Sequence, residues 1–391
     1  MTMQIDSALE LTTPCFVFEE DILYTNLSSF QKNLSLYWGN NTISSLSVKT
    51  LPIPWVLQAA KKLGCYAEVT SEEEYLLSLN SGYCAEEIVF NGPIKTQKQL
   101  NYALLNKSIV NLDSQRELRW TKQFCRENNV TAHIGLRVNI GIEELFPGEL
   151  TVSPQPSRFG FSYENGSLRK AINYLQSEVK EKVVISGLQF HFSTKDHLPQ
   201  LYQYLAKTAG KIADEFSLGL DYIDLGGGYL PDGENGIQYS TYCKAICEEL
   251  SQHFDPDQVT LIVEPGEGVL NTVGCYIGKV IDKKDIGSTR FVITELSNLN
   301  LNPHWRERAL DIELSAKGET IDKQILCGYT CMESDRIAEL HNKAELSEGD
   351  VVIVHRAGAY TLSFSPDFFI KRPPSIYVQN SKDNSLTLIR E

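Results

Sequence analysis

Lys49 closes the run Ser44-Ser45-Leu46-Ser47-Val48-Lys49 and precedes Thr50-Leu51-Pro52, which puts it at the end of a short apolar strand, just ahead of a turn. A lysine there points away from bulk water. Loss of hydration lowers an ammonium pKa, and the free amine can then condense with a carbonyl. Other chemically able residues close apolar runs in the same way: Glu68, Asn91-Gly92-Pro93, Arg137 with Asn139, Phe190-His191, Asp224-Leu225-Gly226-Gly227-Gly228-Tyr229 and Glu264-Pro265-Gly266. The set contains a Schiff-base lysine, an imidazole, a carboxylate and a glycine run whose backbone N–H groups can approach an anion closely. Taken singly, each has a plain structural reading: a strand-end lysine, a satisfied core histidine, a tight turn. Their shared position at strand ends is what sets them apart.

That position requires a repeated element. Short apolar runs at 43–48, 65–69, 87–90, 108–110, 133–138, 185–190, 222–225 and 260–263 read as strands, and most are followed by helical spacing, as at 53–63, 72–79, 96–105 and 198–216. Strands alternating with helices imply a parallel sheet, and eight such units are what a closed (β/α)8 barrel needs, with its active site at the carboxyl ends of the strands. After Glu264 the texture changes to long alternating stretches at 274–282, 290–295, 322–326, 351–354, 375–378 and 385–389, which predict a separate antiparallel β domain. The strand around Cys15–Phe18 precedes the barrel and can join that domain. The expected division is a barrel over 20–265 and a β domain from 1–19 with 266–391.

Composition limits what this ring can serve. The chain has 391 residues with 42% hydrophobic side chains, enough for a large core. Its formal charge of −14 disfavours nucleic acid and anionic membrane as partners. The first residues carry Asp6 and Glu10 and no basic-then-apolar run, and no apolar stretch reaches the length of a membrane span. Nine cysteines without a CxxC pair fit reduced thiols in a cytoplasm better than a disulfide frame or a zinc site.

The motifs resemble those of the fold-type III pyridoxal 5′-phosphate (PLP) decarboxylases, the group of diaminopimelate and ornithine decarboxylases, with an alanine-racemase-like barrel and a C-terminal β domain. The resemblance is carried in family order by Ser47-Val48-Lys49, Val89-Phe90-Asn91-Gly92-Pro93, Leu136-Arg137-Val138-Asn139, Ser157-Arg158-Phe159-Gly160 and Gly187-Leu188-Gln189-Phe190-His191. It continues through Asp224-Leu225-Gly226-Gly227-Gly228, Glu264-Pro265-Gly266, Gly328-Tyr329-Thr330-Cys331 and Ala357-Gly358-Ala359-Tyr360. It implies that Lys49 would hold PLP as an internal aldimine, that His191 would lie over the pyridine face, and that Glu264 would keep the pyridine nitrogen protonated. A protonated ring is the better electron sink, which points to decarboxylation through a quinonoid intermediate. Gly226, Gly227, Gly228, Thr194 and Tyr360 would hold the phosphate, with Glu68 and Arg137 in support. Cys331 would reach the active site of the neighbouring subunit and return a proton to the decarboxylated carbon, which implies a homodimer with two shared sites. By residue type alone a lone cysteine in a β domain is a small buried hydrophobe.

Departures from the family pattern bear on the substrate. The family's Glu-Pro-Gly-Arg is Glu264-Pro265-Gly266-Glu267 here, and the acid usually found after the cysteine is Met332. The arginine that diaminopimelate decarboxylases place near Asn302-Pro303 is missing too, and a glycine-rich run has become Glu295-Leu296-Ser297-Asn298. A free distal carboxylate would then enter without a cation, at a cost of several kcal/mol once desolvated. Together with 359–369, these features resemble decarboxylases of secondary metabolism that act on amino acids conjugated to a carrier protein, citrate or another group. That points to a siderophore, aminoglycoside or peptide-antibiotic pathway. The alternatives are an amino-acid racemase of the same fold and a non-catalytic relative that binds without reacting, which the lost arginine would favour and the joint presence of Lys49, His191, Glu264 and Cys331 opposes.

Overall fold

Apolar runs a few residues long can be buried on both faces only if helices cover one side and other strands the opposite side, so each needs its neighbours. The computed structural model describes residues 5–178, 182–301, 310–363 and 373–390. In chain order the strands are β1 (Cys15–Glu19), β2 (Thr42–Ser47), β3 (Tyr66–Val69), β4 (Ile88–Phe90), β5 (Ile109–Leu112), β6 (Ala132–Asn139), β7 (Phe161–Ser162), β8 (Val183–Phe190) and β9 (Tyr222–Asp224). They continue as β10 (Thr260–Val263), β11 (Gly274–Ile286), β12 (Thr289–Thr294), β13 (Ile312–Leu314), β14 (Thr320–Cys327), β15 (Arg336–Ala344), β16 (Val351–Val354), β17 (Ser375–Gln379) and β18 (Leu386–Arg390). By internal contacts the chain forms two units, Leu27–Gly268 and Met1–Asn26 with Val269–Glu391.

In the first unit, β5-β4-β3-β2-β10-β9-β8-β6 pair in parallel, and β5 also pairs with β6, which closes an eight-stranded barrel; β7 is a short addition to β6. These are the eight strands expected from the sequence, each within two residues of its expected bounds. Local chemistry starts the helices between them. Thr96 and Gln99 form a reciprocal capping box ahead of Gln97–Leu105, Ser71 and Ser114 accept from the first turns of Glu72–Asn80 and Gln115–Asn128, and Pro54 and Pro199 open two others.

Inside the barrel, side chains two apart lie in successive layers. Val89, Tyr222 and Ile262 pack together with Ile43 and Ile109 in an apolar layer. Two residues further along four of those strands stand Asn91, Asn111, Asp224 and Glu264, all buried. The apolar layer therefore carries a polar one at the carboxyl ends. Tyr222 fits because Gly135 on β6 and Gly187 on β8 have no side chain: a Cβ on Gly187 would stand 2.2 Å from the tyrosine ring, and one on Gly135 would stand 2.2 Å from its hydroxyl.

The second unit is one sheet in the order β15-β14-β12-β11-β1-β17-β18, with β16 pairing β11 and β13 pairing β16. It is mostly antiparallel, with two parallel ladders, β1–β17 and β12–β14. Cys15, Val17, Cys275, Ile277, Val351 and Ile353 form its core, and Phe16 stacks on Tyr276 with ring centres 4.3 Å apart. Two strands were not legible in the sequence. In β15 the buried Ile337 and Leu340 are three apart, which reads as helical spacing although a strand puts them on opposite faces; β13 is three half-buried residues long. No helix among the described residues is long and apolar enough to cross a membrane, and all nine cysteines are free thiols.

Gly187→Ala should destabilise the protein by about 1–3 kcal/mol in denaturant unfolding, since the tyrosine ring has no room to withdraw. Gly219→Ala, where a Cβ would meet nothing within 4 Å, should be near neutral. Equal effects of the two would show that the slot around Tyr222 is not tightly filled.

Candidate active site

Lys49 stands in a single 3-10 turn, Val48–Thr50, directly after β2. Its ammonium donates to Ser47 Oγ at 2.6 Å and to Glu68 Oε2 at 2.7 Å, and Ser47 Oγ donates to the same carboxylate oxygen at 2.6 Å. This corrects the expectation that the lysine is activated by desolvation: its side chain is 34% exposed and ion-paired. The buried group is its partner. Burial works against the charge of Glu68, but the Lys49 charge and the hydrogen bonds from Lys49 and Ser47 outweigh it and hold the carboxyl below its ordinary range.

Glu68 begins a polar network that spans the barrel. Asn91 Nδ2 donates to Glu68 Oε1 at 3.2 Å and also to Glu264 Oε1, which Gln189 Nε2 reaches at 3.4 Å. Asn111 Nδ2 donates to Asn91 Oδ1 at 2.8 Å and to Asp224 Oδ2 at 3.2 Å. Asp224 and Glu264 oppose each other. Burial and then the neighbouring Glu264 raise the Asp224 carboxyl well above its usual range. Burial and then Glu68 push Glu264 up to about 7, against a hydrogen bond from Asp224. Asp224 thus keeps its proton and donates it to Glu264.

His191 follows β8. Its Nδ1 accepts the Gly227 N–H at 3.1 Å, which places the ring proton on Nε2. Burial, then the Arg137 and Lys49 charges, push the imidazole down to about 3, so it is neutral. Arg137 on β6 donates to the His191 carbonyl at 3.1 Å, lies 3.7 Å from Asp113 and covers the Phe159 ring. Burial lowers its pKa, with Asp113 the first opposing charge.

The glycine run is closely packed. Gly226 and Gly228 have φ of +66° and +95°, and a Cβ on Gly226 or Gly227 would come within 2.5 Å of a backbone carbonyl. Two of its N–H groups are already used within the protein, Gly226 by Asp224 Oδ1 at 2.9 Å and Gly227 by His191. Beside the run lie Phe192 and His197, near where a Gly228 Cβ would be. In the same turn the Thr194 hydroxyl is buried and makes no hydrogen bond. That turn pairs with residues 149–151 through Thr151 N–H to Ser193 O and Lys195 N–H to Glu149 O.

Cys331 and Tyr360 belong to the other unit. Cys331 is exposed beside a cleft of about 300 Å³ that Phe291, Ile293, Met332 and Arg336 help to line. Its loop is pinned by Asp335, which accepts from Thr330 Oγ1 at 2.7 Å and from the Asn298 N–H at 2.7 Å. Tyr360 is half-buried with φ +63°. Asn302-Pro303 and 364–369 lie outside the described residues. Sequence reasoning missed Asn111 and Tyr222 and gave Ser47, Asn91, Gln189 and Asp224 no task. Period-two alternation was the signal that could have found several of them, since each apolar interior residue of β4, β5, β9 and β10 is followed two places on by an amide or a carboxylate.

Residues 23–270 match the family model for the pyridoxal-dependent decarboxylase, pyridoxal binding domain. The chain belongs to the pyridoxal-dependent decarboxylases. It is 24% identical over 387 residues to diaminopimelate decarboxylase of Bacillus subtilis, covering 95% of this chain and 87% of that protein. Identity to the L-glutamyl-[BtrI acyl-carrier protein] decarboxylase of Niallia circulans is 23%, over 97% of this chain and 89% of that one. The fold is shared with the crystal structure of diaminopimelate decarboxylase from Methanocaldococcus jannaschii, with TM-score 0.88, 23% identity and coverage of 99% of this chain and 91% of that one.

The cofactor of this decarboxylase is PLP, and the barrel interior fits it. A protonated ring nitrogen needs an anion, and Glu264 is a buried carboxylate on which the nearby Glu68 charge acts more strongly than the opposing Lys49 charge. A phosphate needs donors, and Thr194 has a buried hydroxyl without a partner at the glycine run. Without cofactor, Glu264 binds its proton more tightly in the folded state, near 7, than at its ordinary 4.5. Its stabilising contribution is therefore complete below 4.5 and lost as pH rises through 7. His191 works in the opposite sense, gaining stability as pH rises from its folded value near 3 to its ordinary 6.5. Subtracting a variant isolates Glu264: the unfolding temperature of cofactor-free Glu264→Gln should gain on that of the wild type between pH 4.5 and 7. A constant difference across this window would mean that Glu264 titrates normally.

Proposed function

We propose that the protein removes the α-carboxylate as CO2 from an amino acid whose far end is conjugated to a carrier or another group, within a cytoplasmic biosynthetic pathway of the siderophore or antibiotic kind. Bound PLP supplies the electron sink for the electron pair that departing CO2 leaves behind. The observation that carries the reading is Glu264, a buried carboxylate facing the barrel interior among amide donors. As an anion it would hold the proton of the ring nitrogen and keep the sink strong, which favours decarboxylation over racemisation.

The other residues take roles their surroundings suit. Lys49 would hold the cofactor covalently and yield it to the substrate amine, with Ser47 and Glu68 orienting its nitrogen and accepting its protons. His191, neutral and fixed by Gly227, offers the cofactor an uncharged surface. Gly226, Gly227, Gly228, Thr194 and Tyr360 would hold the phosphate. Arg137 ties the end of β6 to the His191 carbonyl. Cys331 of a second subunit would give its Sγ proton to the carbon that lost CO2, completing the product in a homodimer with two shared sites.

Conjugation of the substrate is supported by two side chains. Glu267, where the resemblance places an arginine, is half-buried and acidic, and Met332 rather than an acid follows Cys331. An extra substrate carboxylate would meet like charge at the first position. The likeness to an acyl-carrier-protein substrate decarboxylase agrees with this reading.

Mass-spectrometric detection of CO2 loss over a panel of free and conjugated amino acids tests the substrate. Conjugated substrates should exceed free diaminopimelate by at least about tenfold in kcat/KM, and preference for the free diacid would overturn the assignment. Shared sites are tested by mixing. Lys49→Ala and Cys331→Ala homodimers should each be nearly inactive, whereas mixed dimers should recover up to roughly half the wild-type activity, because one site holds both intact residues. Verified mixed dimers that recover nothing would place both residues in one subunit's site.

A further inference from the structure

Asn91 carries the amide that bridges Glu68 and Glu264, and an amide can be turned either way. Ionised carboxylates only accept, so Asn91 must present Nδ2 to them, leaving its Oδ1 toward Asn111. Asn91 Oδ1, an amide oxygen, can only accept in turn, so Asn111 must present its Nδ2 there, where Asp224 Oδ2 also accepts from it. Its own Oδ1 then needs a donor, and the Tyr222 hydroxyl supplies one at 2.8 Å. All three side chains are buried: Asn91 is 3% exposed, Asn111 1% and Tyr222 8%. The barrel also makes room for the donor, since a Cβ on Gly135 would fall 2.0 Å from Asn111 Oδ1 and a Cβ on Gly187 would fall on the tyrosine ring.

We infer that Tyr222 and Asn111 are positioning residues for Glu264, forming a one-way chain of hydrogen bonds, Tyr222 to Asn111 to Asn91, that keeps an amide N–H on Glu264 Oε1. The inference rests on the reading of Glu264 as partner of the cofactor's ring nitrogen. Burial keeps the Tyr222 hydroxyl protonated and hence a donor. With the chain intact, one oxygen of Glu264 is occupied by Asn91 and Gln189, so the carboxylate is held in one orientation as an acceptor. Without Tyr222 O–H, Asn111 Oδ1 is orphaned in the core; turning Asn111 would set its oxygen against Asn91 Oδ1, and turning both amides would set Asn91 Oδ1 against the ionised Glu68.

The charged and titratable groups around Glu264 are Lys49 after β2, Glu68 on β3, Arg137 on β6, Tyr222 and Asp224 on β9, and Tyr229 beyond it. Tyr222→Phe leaves every charged group in place and removes only the donor to Asn111, whereas Asn111→Leu also removes a hydrogen bond to Asp224, so the tyrosine variant is the cleaner test. Infrared difference titration of the cofactor-free protein reads the buried carboxyl directly, with its band assigned by loss in Glu264→Gln. Each variant should raise the midpoint of that band by about one pH unit, a tenfold change in proton affinity. In the holoenzyme kcat should fall by about tenfold with KM within about twofold. A midpoint within about 0.3 unit of the wild type, or below it, would overturn the chain even if thermal stability falls, because packing alone predicts only that. Tyr222→Phe removes a single oxygen and carries the test should Asn111→Leu fail to fold. Failure of the underlying reading looks different: Glu264→Gln would then turn over substrate at the wild-type rate, whatever the midpoints in the other two variants.

Discussion

Glu68, Asp224 and Glu264 lie within one water-poor barrel interior, each no more than 3% exposed, and three such carboxylates cannot all be ionised there without compensation. The structure treats each differently. Glu68 has the Lys49 ammonium and ionises; Asp224 has no cation and keeps its proton; Glu264 lies between them and titrates near neutrality. Arg137 adds positive charge from β6, though its own contacts are with the His191 carbonyl and Asp113. Under the proposed reading, a protonated ring nitrogen would supply the positive partner that Glu264 lacks.

Close backbone approach is the second condition. Gly226 and Gly227 let the loop after β9 lie against the Phe190 and Glu264 carbonyls, so Asp224, Glu264 and His191 converge on one point. The two N–H groups used inside the protein are part of that arrangement: they fix the Asp224 carboxyl and the His191 tautomer. An anion at this loop would draw on donors beyond them, the buried Thr194 hydroxyl among these.

The residues whose geometry the barrel fixes are Lys49, Glu68, His191, Asp224 and Glu264; the departures from the family pattern, Glu267 and Met332, lie outside that network. Met332 lines the cleft beside Cys331 with Phe291, Ile293 and Arg336.

The sequence by itself determined the barrel, because short apolar runs followed by capped helices leave a chain few other ways to cover both faces of each strand. It also located the ring of Lys49, Glu68, Arg137, His191, Asp224 and Glu264, since strand ends are readable from where apolar runs stop. Strand β15 escaped because Ile337 and Leu340 are spaced as in a helix and only pairing with β14 makes the segment extended. Tertiary structure alone decided how the ring is charged. That Lys49 is ion-paired rather than desolvated, that His191 is neutral with its proton on Nε2, and that Asn111 and Tyr222 orient Asn91 all depend on distances between strands far apart in sequence. Side-chain alternation says which residues face inward; the closure of β5 on β6 says which of them meet, and pKa and hydrogen-bond direction are properties of that meeting.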